Sequence, residues 1–347
     1  MHEPIKSIGL VRLSAFGDVL LTVPAVRTLQ AGFPDAKITW IVSPGAYPIL
    51  KGLSGIEFIV VDKPRDLFTY IAAYKKLKSC QFDVLLCMQA SFSANILFPL
   101  IKAKRRIGFD SARARDAHRL FVRESVPAGR DHLLDAFMRF PVTLGCTEKK
   151  YCWDLDIPES DREWVNQHWE TDLSPEKKTL VVNPSCSKPE RNWFKERYAE
   201  VIQEAKKCWD INVLLTGGPA ESEKKLAADI EASVGFSIVN WVGKTTPKQL
   251  AVTLEKADVL LAPDTGPLHL AGAMGTPVVG LYAVASSGLS GPYFSRDLCV
   301  DKFPDAVRVF LKKDPATVPW KTRVHTQKAM TLITVEDVLA QLAKVFD

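Results

Sequence analysis

Several absences narrow the reading of this chain before any motif is considered. Its seven cysteines (Cys80, Cys87, Cys146, Cys152, Cys186, Cys208 and Cys299) are odd in number, scattered and never spaced C-x-x-C. That argues against zinc and against a disulfide framework, fits a reducing cytoplasm, and leaves the thiols as small buried hydrophobes. Residues 5–13 alternate into a strand and do not make the charged leader and apolar core of a signal peptide. A charge-free run long enough to raise the question of a membrane span, Val84 to Ile101, is broken by Gln89, Ser91, Ser93, Asn95 and Pro99. It predicts a buried strand, a loop and a short helix, not a membrane span. Gly-x-Gly-x-x-Gly is missing after the first strand, and Gly9 lies inside that strand, which counts against an NAD enzyme. Val242-Gly243-Lys244-Thr245 resembles the tail of an ATP-hydrolysing phosphate loop, but Ile238 stands where that loop needs glycine.

What is present is an ordinary globular composition, with 47% hydrophobic and 24% charged residues. At 347 residues the chain exceeds the usual limit of one core, so two domains are expected. Apolar runs alternate with helical patterns in both halves, the pattern of parallel α/β sheets. Strands are predicted near 6–13, 37–42, 57–61, 83–88 and 104–108, then near 179–183, 211–216, 237–241, 258–262 and 277–281. The proline-bracketed polar stretch at about 160–178 marks the junction, giving an amino-terminal domain over 1–165 and a second over 175–330. Residues 331–347 close with Val335, Val338, Leu339, Leu342 and Val345 at helical spacing behind a Thr334 cap.

The net charge of +5 is unevenly placed. Residues 102–130 hold nine Lys and Arg, among them Arg105, Arg106, Arg113 and Arg115, against three acids, so this segment carries the whole excess. A local basic face suits an anionic partner such as a phosphorylated lipid or acidic sugar. With few aromatic residues among these cations, nucleic acid ranks last among such partners.

Ligands of doubly wound sheets bind beyond the carboxyl ends of the strands, so those turns hold the candidate site. After the apolar run 259–262 comes Asp264-Thr265-Gly266-Pro267-Leu268-His269, a polar turn opening a small-residue helix. Its backbone N–H groups favour a phosphate, Gly266 permits close approach, and Thr265 adds a hydroxyl donor. Asp18 follows the first strand at a helix start, where it serves either as a cap or as a general base. The helix start stabilises the carboxylate's charge, so proton uptake would come late, once bond formation has made the hydroxyl acidic. In the loop after residue 183, Lys188 or Arg191 could neutralise a diphosphate, and Arg191 is preferred because it precedes the anchoring pair Asn192-Trp193. Gly217-Gly218 followed by Glu221 suits the paired hydroxyls of a ribose, with Glu223 as the competing acid. Residues 242–245 are read as lining a base pocket.

These residues resemble a known family. Val11-Arg12-Leu13-Ser14-Ala15-Phe16-Gly17-Asp18 and the stretch to Ala25 look like the opening motif of bacterial lipopolysaccharide heptosyltransferases, glycosyltransferase family 9. Asp264 to Ala271 resembles that family's donor-site motif. Ile107-Gly108-Phe109-Asp110, His132-Leu133-Leu134-Asp135, Asn183-Pro184 and Gly217-Gly218-Pro219 match the intervening landmarks in order. The resemblance implies a GT-B fold, two Rossmann-like domains facing a central cleft, with the carboxyl-terminal helix returning to the first domain. It implies inverting transfer of heptose from ADP-heptose to the Kdo or heptose of the lipopolysaccharide inner core, without a metal or other cofactor. Asp18 would be the base, while Lys188, Arg191, Glu221, Asp264, Thr265, Gly266 and His269 would hold the donor. Arg105, Arg106, Arg113 and Arg115 would meet a lipid A/Kdo-type glycolipid, placing the protein on the cytoplasmic face of the inner membrane. Arg191 stands where the family commonly has lysine, and Ala283 to Gly288 depart from the family's Gly-Pro-Thr-Asp-Pro style. The alternatives are a UDP- or GDP-sugar transferase or epimerase of the same fold, and a non-catalytic nucleotide-binding scaffold.

Overall fold

The computed structural model describes residues 4–347, which form two compact units, one ending at Asp156 and one beginning at Ile157. The first contains β1 (Ser7–Val11), α1 (Phe16–Gly32), β2 (Lys37–Val42), α2 (Tyr47–Leu50), β3 (Ile56–Val60) and α3 (Leu67–Leu77). It continues with β4 (Gln81–Cys87), α4 (Phe92–Asn95), β5 (Lys102–Gly108), β6 (Glu124–Ser125) and α5 (Leu133–Thr143). The strands make one parallel sheet in the order β3-β2-β1-β4-β5-β6.

The second unit opens with α6 (Glu159–Asp172), β7 (Thr179–Val182), α7 (Lys195–Trp209), β8 (Asn212–Leu215), α8 (Glu221–Val234) and β9 (Val239–Asn240). Then come α9 (Pro247–Lys256), β10 (Val259–Pro263), α10 (Gly266–Met274), β11 (Val278–Tyr282), α11 (Ser287–Ser290), β12 (Val300–Asp301), α12 (Phe303–Ala306) and α13 (Val335–Phe346). Its parallel sheet has the order β12-β11-β10-β7-β8-β9. Counted from its own first strand, each sheet therefore reads 3-2-1-4-5-6, the doubly wound order. The order reverses between β1 and β4 in one unit and between β7 and β10 in the other.

Ten of the twelve strands lie where apolar runs predicted them. The two others, β6 and β12, are two-residue edge strands, too short to show a period. The Val84–Ile101 run resolves into most of β4, α4 and a further short turn, as its polar interruptions imply.

Local chemistry explains the element that carries Asp18. Helix α1 is apolar nearly all round because it is buried along most of its length and packs on α5. Pro24 within it has no N–H for the Leu20 carbonyl. The Trp153 indole takes that place, donating to Leu20 O at 2.8 Å, so no buried acceptor is left unpaired. Gly9 in β1 is there for packing: a Cβ would stand 2.5 Å from the Phe82 ring.

Two expectations about boundaries change. The polar helix in the predicted junction is α6, and it belongs wholly to the second unit. Trp164 meets Trp241 at 5.6 Å, the Trp241 indole donates to Asp172 at 2.8 Å, and Arg162 pairs with Glu255 at 2.5 Å. The carboxyl-terminal helix α13, expected on the first domain, packs on α7 with Val335, Val338, Leu342 and Phe346 in the second unit's core. Its apolar stripe finds a matching face within its own unit, with Trp209 against Phe346 at 5.4 Å and Lys302 paired to Asp337 at 2.9 Å.

Candidate active site

A buried, ion-paired cluster sits at each of the two points where strand order reverses. In the first unit, Arg12 follows β1 and its buried guanidinium pairs with the Asp18 carboxylate in the first turn of α1. Asp18 also accepts from the Ala15 N–H at 3.2 Å, and its side chain is partly exposed. Arg12 in turn donates to the Met88 carbonyl at 2.8 Å, past the end of β4, and lies 5.0 Å from the Phe137 ring of α5. Its buried Nε has no hydrogen-bond partner among the described residues. Gln89 fixes the turn before Asp18, accepting from Leu13 N at 2.8 Å and Ser14 N at 3.3 Å. Lys63, after β3, lies in the same field. Burial, then the Arg65 and Arg12 guanidiniums, lowers its ammonium below the ordinary range, while Asp18 opposes them.

In the second unit Asp264 follows β10 and is buried, paired with Arg191 Nη1 at 2.9 Å. The Asp264 carbonyl accepts from Arg191 at 3.3 Å and from the Cys186 thiol at 3.1 Å. The Ser290 hydroxyl reaches both carboxylate oxygens at 3.4 Å, and Tyr282 holds Ser290 in place by donating to its carbonyl at 2.8 Å. Burial raises the Cys186 thiol above its ordinary range, so it stays a neutral donor. Asn192 accepts from Cys186 N at 2.7 Å, and the buried Trp193 donates to the Ile333 carbonyl at 3.2 Å, so this pair does anchor the loop.

With its carboxylate turned to Arg191, Asp264 does not cap α10. Thr265 is the N-cap, in an extended conformation without a side-chain cap bond, and Gly266 is the first helical residue. The first N–H groups of α10 thus keep their capacity for an anion. Pro267 supplies none, His269 is buried in the second turn, and Gly275, at φ +84°, ends the helix.

Other predicted residues separate. Lys188 is exposed ahead of the short turn Pro189–Arg191. Glu221 is 89% exposed and pairs with Lys224 at 2.8 Å. It is Glu223 that the fold holds against the glycine turn, accepting from Gly218 N at 2.7 Å. An open recess bordered by Lys224, Asn240, Val242 and Lys244 flanks that turn.

The basic segment is not one face. Arg105 makes two bonds to Glu124, at 2.9 and 2.6 Å, joining β5 to β6. Arg106 donates to the Ile101 carbonyl at 2.8 Å. Arg113 is a correction: it is buried and clamps Asp110, Asp131 and the Gly129 carbonyl, so it cannot reach a bound acceptor. The cause is local, since Asp110 also accepts from Ala112 N at 2.8 Å and folds the chain back onto the loop at 129–131. Arg115 remains exposed.

Sequence reasoning assigned no role to Arg12, Lys63, Gln89, Cys186 or Ser290. Arg12 lay inside the quoted opening motif, and that adjacency was the available signal; the others meet the site only through tertiary contacts. The remaining landmarks prove to be scaffold. Asn183 donates to the Thr216 carbonyl at 3.0 Å, and His132 caps α5 by accepting from Leu134 N at 3.1 Å. Among the described residues no group of three His, Cys, Asp or Glu side chains is placed to hold a metal ion.

Two doubly wound units of this strand order give the chain the GT-B fold class. A glycosyl transferase family 9 protein from Veillonella parvula superposes with TM-score 0.79 at 20% identity, covering 98% of this chain and 97% of that one. The Escherichia coli heptosyltransferase WaaC with ADP gives TM-score 0.72 at 20% identity, over 97% and 99% of the two chains. The profile of glycosyltransferase family 9 (heptosyltransferase) matches residues 70–309. The lipopolysaccharide core heptosyltransferase OpsX of Haemophilus influenzae is 36% identical over 99% of this chain and 97% of its own. This chain therefore belongs to glycosyltransferase family 9, the heptosyltransferases.

Proposed function

We propose that the protein transfers heptose from ADP-heptose to a sugar hydroxyl of the lipopolysaccharide inner core, with inversion at the anomeric carbon. The observation that carries this reading is the pair of built sites at the reversal points, Arg12–Asp18 and Arg191–Asp264, in a chain of this family. The acceptor oxygen forms the new bond to the anomeric carbon as the bond to the β-phosphate oxygen breaks, and ADP leaves with that electron pair. Asp18 takes the acceptor proton. Arg12 keeps the carboxylate in place, and its second contact to Met88 fixes the direction in which it points.

The start of α10, with Arg191, receives the charge that develops on the departing diphosphate. Thr265 and Gly266 line that start, and Asp264 orients the Arg191 fork. Glu221 reads the ribose hydroxyls, because an exposed pair with Lys224 is worth little and yields readily. Glu223 shapes the glycine turn. No metal is required in this scheme, so transfer should survive chelation by EDTA. The protein would work at the cytoplasmic membrane surface, where its lipid-linked acceptor is found.

The test combines titration with ADP, UDP and GDP and a transfer assay using ADP-heptose and a Kdo-bearing lipid A acceptor. ADP selectivity and an inverted product are expected. Asp18→Asn should lower turnover about 10²–10⁴-fold with ADP affinity unchanged. Preference for UDP or GDP, or full turnover by the Asp18 variant, overturns the corresponding assignment.

A further inference from the structure

Four large apolar side chains are more than three-fifths exposed among the described residues: Leu67 (68%), Phe68 (84%), Phe92 (66%) and Leu120 (82%). All four lie on connections that leave the carboxyl ends of strands in the first sheet. Leu67 and Phe68 open α3 after β3, Phe92 opens α4 after β4, and Leu120 follows β5. Asp18 leaves β1 at that same end of the sheet. Scattered exposed leucines are common, but four large and strongly exposed side chains on connections at one end of one sheet mark that end as an apolar patch to be explained.

The helix α3 shows that the exposure is not incidental to packing. It buries Ala73 and Leu77 inward. Leu67, Ile71 and Tyr74, at positions i, i+4 and i+7, make a second stripe that faces out, with Phe68 beside it. The β4 and β5 connections are tied together. Asp116 accepts from Phe92 N at 3.0 Å, and Asn95 donates to the carbonyls of Arg115 and Asp116 at 3.1 and 2.8 Å. Phe92 and Leu120 therefore ride on one linked piece.

The charges around the patch are mostly of one sign. Lys63 and Arg65 precede α3 next to the exposed Asp62, and Arg115, Arg119 and Arg123 bracket Leu120. Among the nearby acids, Asp66 is occupied in capping α3 through Thr69 N at 2.8 Å, and Asp116 holds the Phe92 amide. Protruding apolar side chains inside a basic surround match an anionic bilayer, which offers hydrocarbon and phosphate in adjacent layers.

We propose that this end of the first unit docks on an anionic phospholipid surface. Leu67, Phe68, Phe92 and Leu120 enter the headgroup region, and the flanking Lys and Arg side chains meet lipid phosphates. The contact is peripheral, since among the described residues no helix is long and apolar enough to cross a membrane. It rests on the reading of a lipid-linked acceptor, whose hydroxyl would then be delivered at the end of the sheet that carries Asp18.

The experiment is co-sedimentation of the full chain with vesicles of phosphatidylglycerol and phosphatidylethanolamine that contain no glycolipid. Binding is expected, weakened by high salt and by replacing phosphatidylglycerol with phosphatidylcholine. The double variant Phe68→Ser/Phe92→Ser should partition about tenfold or more weakly with an unchanged thermal midpoint. Fluorescence of Phe68→Trp should shift to the blue when vesicles are added. Undiminished binding by the double variant, or no binding by the native chain, overturns the proposal. So does self-association abolished by the same substitutions, which would make a second copy the occupant. Transfer to a water-soluble deacylated acceptor without vesicles separates the two readings. If it proceeds while vesicle binding fails, docking alone is lost; if it fails, the transferase reading is lost.

Discussion

In the proposed scheme Arg191 and Asp264 serve both stability and chemistry. Asp264 is buried, so its charge is tolerated only while the guanidinium and the Ser290 hydroxyl face it. Arg191→Ala should therefore cost about 2–4 kcal/mol of stability and also weaken ADP binding. The double variant Arg191→Met/Asp264→Asn should regain most of the stability without the binding, a split visible by comparing urea midpoints with ADP titrations. The conservative Arg191→Lys should bind ADP while losing the planar guanidinium, whose Nη1 meets both the Asp264 carboxylate and its carbonyl. At Arg12 the corresponding expectation is kinetic. Arg12→Ala should lower turnover at unchanged ADP affinity, because its contacts lie with Asp18 and Met88 in the first unit. These pairings were half legible. Each partner stood in a quoted motif, but nothing in the spacing of residues 191 and 264 says that they meet.

At the scale of elements, the connection after β5 contains a titrating contact. His118 accepts from Phe109 N at 3.1 Å through Nε2 and so donates through Nδ1 to Asn95 Oδ1 at 2.8 Å. Burial lowers this imidazole from 6.5 to about 4. The unfolded chain takes up that proton first as pH falls, so stability present above pH 6.5 is lost progressively towards pH 4. Urea midpoints measured across that window should fall with acidity, and His118→Gln should lower the midpoint at neutral pH while flattening the slope. The same connection explains why the charge count misled. Nine cations in sequence suggested a surface, yet strand pairing drew Arg105 to Glu124, and a turn at Asp110 drew Arg113 inward.

For the molecule as a whole, the two units have separate cores and the same strand order, and α13 completes the second. Ending the chain before Val335 would remove Val338, Leu342 and Phe346 from that core. Hydrogen exchange should then rise in α7 and around β11 and β12, and ADP affinity should fall, while β1, β2 and β4 keep their protection. Equal loss of protection in both units would show that they do not unfold separately.

The alternation of apolar runs and helical patterns was enough to determine ten strands, two doubly wound sheets and the turns that carry Asp18 and Asp264. Those signals are local, because a strand or a helix start needs only its own residues and their neighbours. Tertiary structure decided the rest: that α6 and α13 both join the second unit, that Glu223 and not Glu221 closes the glycine turn, and that Arg113 is a clamp. It also brought Gln89, Cys186 and Ser290 to the site. Each of these depends on which distant residue fills a buried donor, acceptor or apolar face. That choice belongs to packing and hydrogen-bond satisfaction across the sheet, and leaves no periodic trace in the chain.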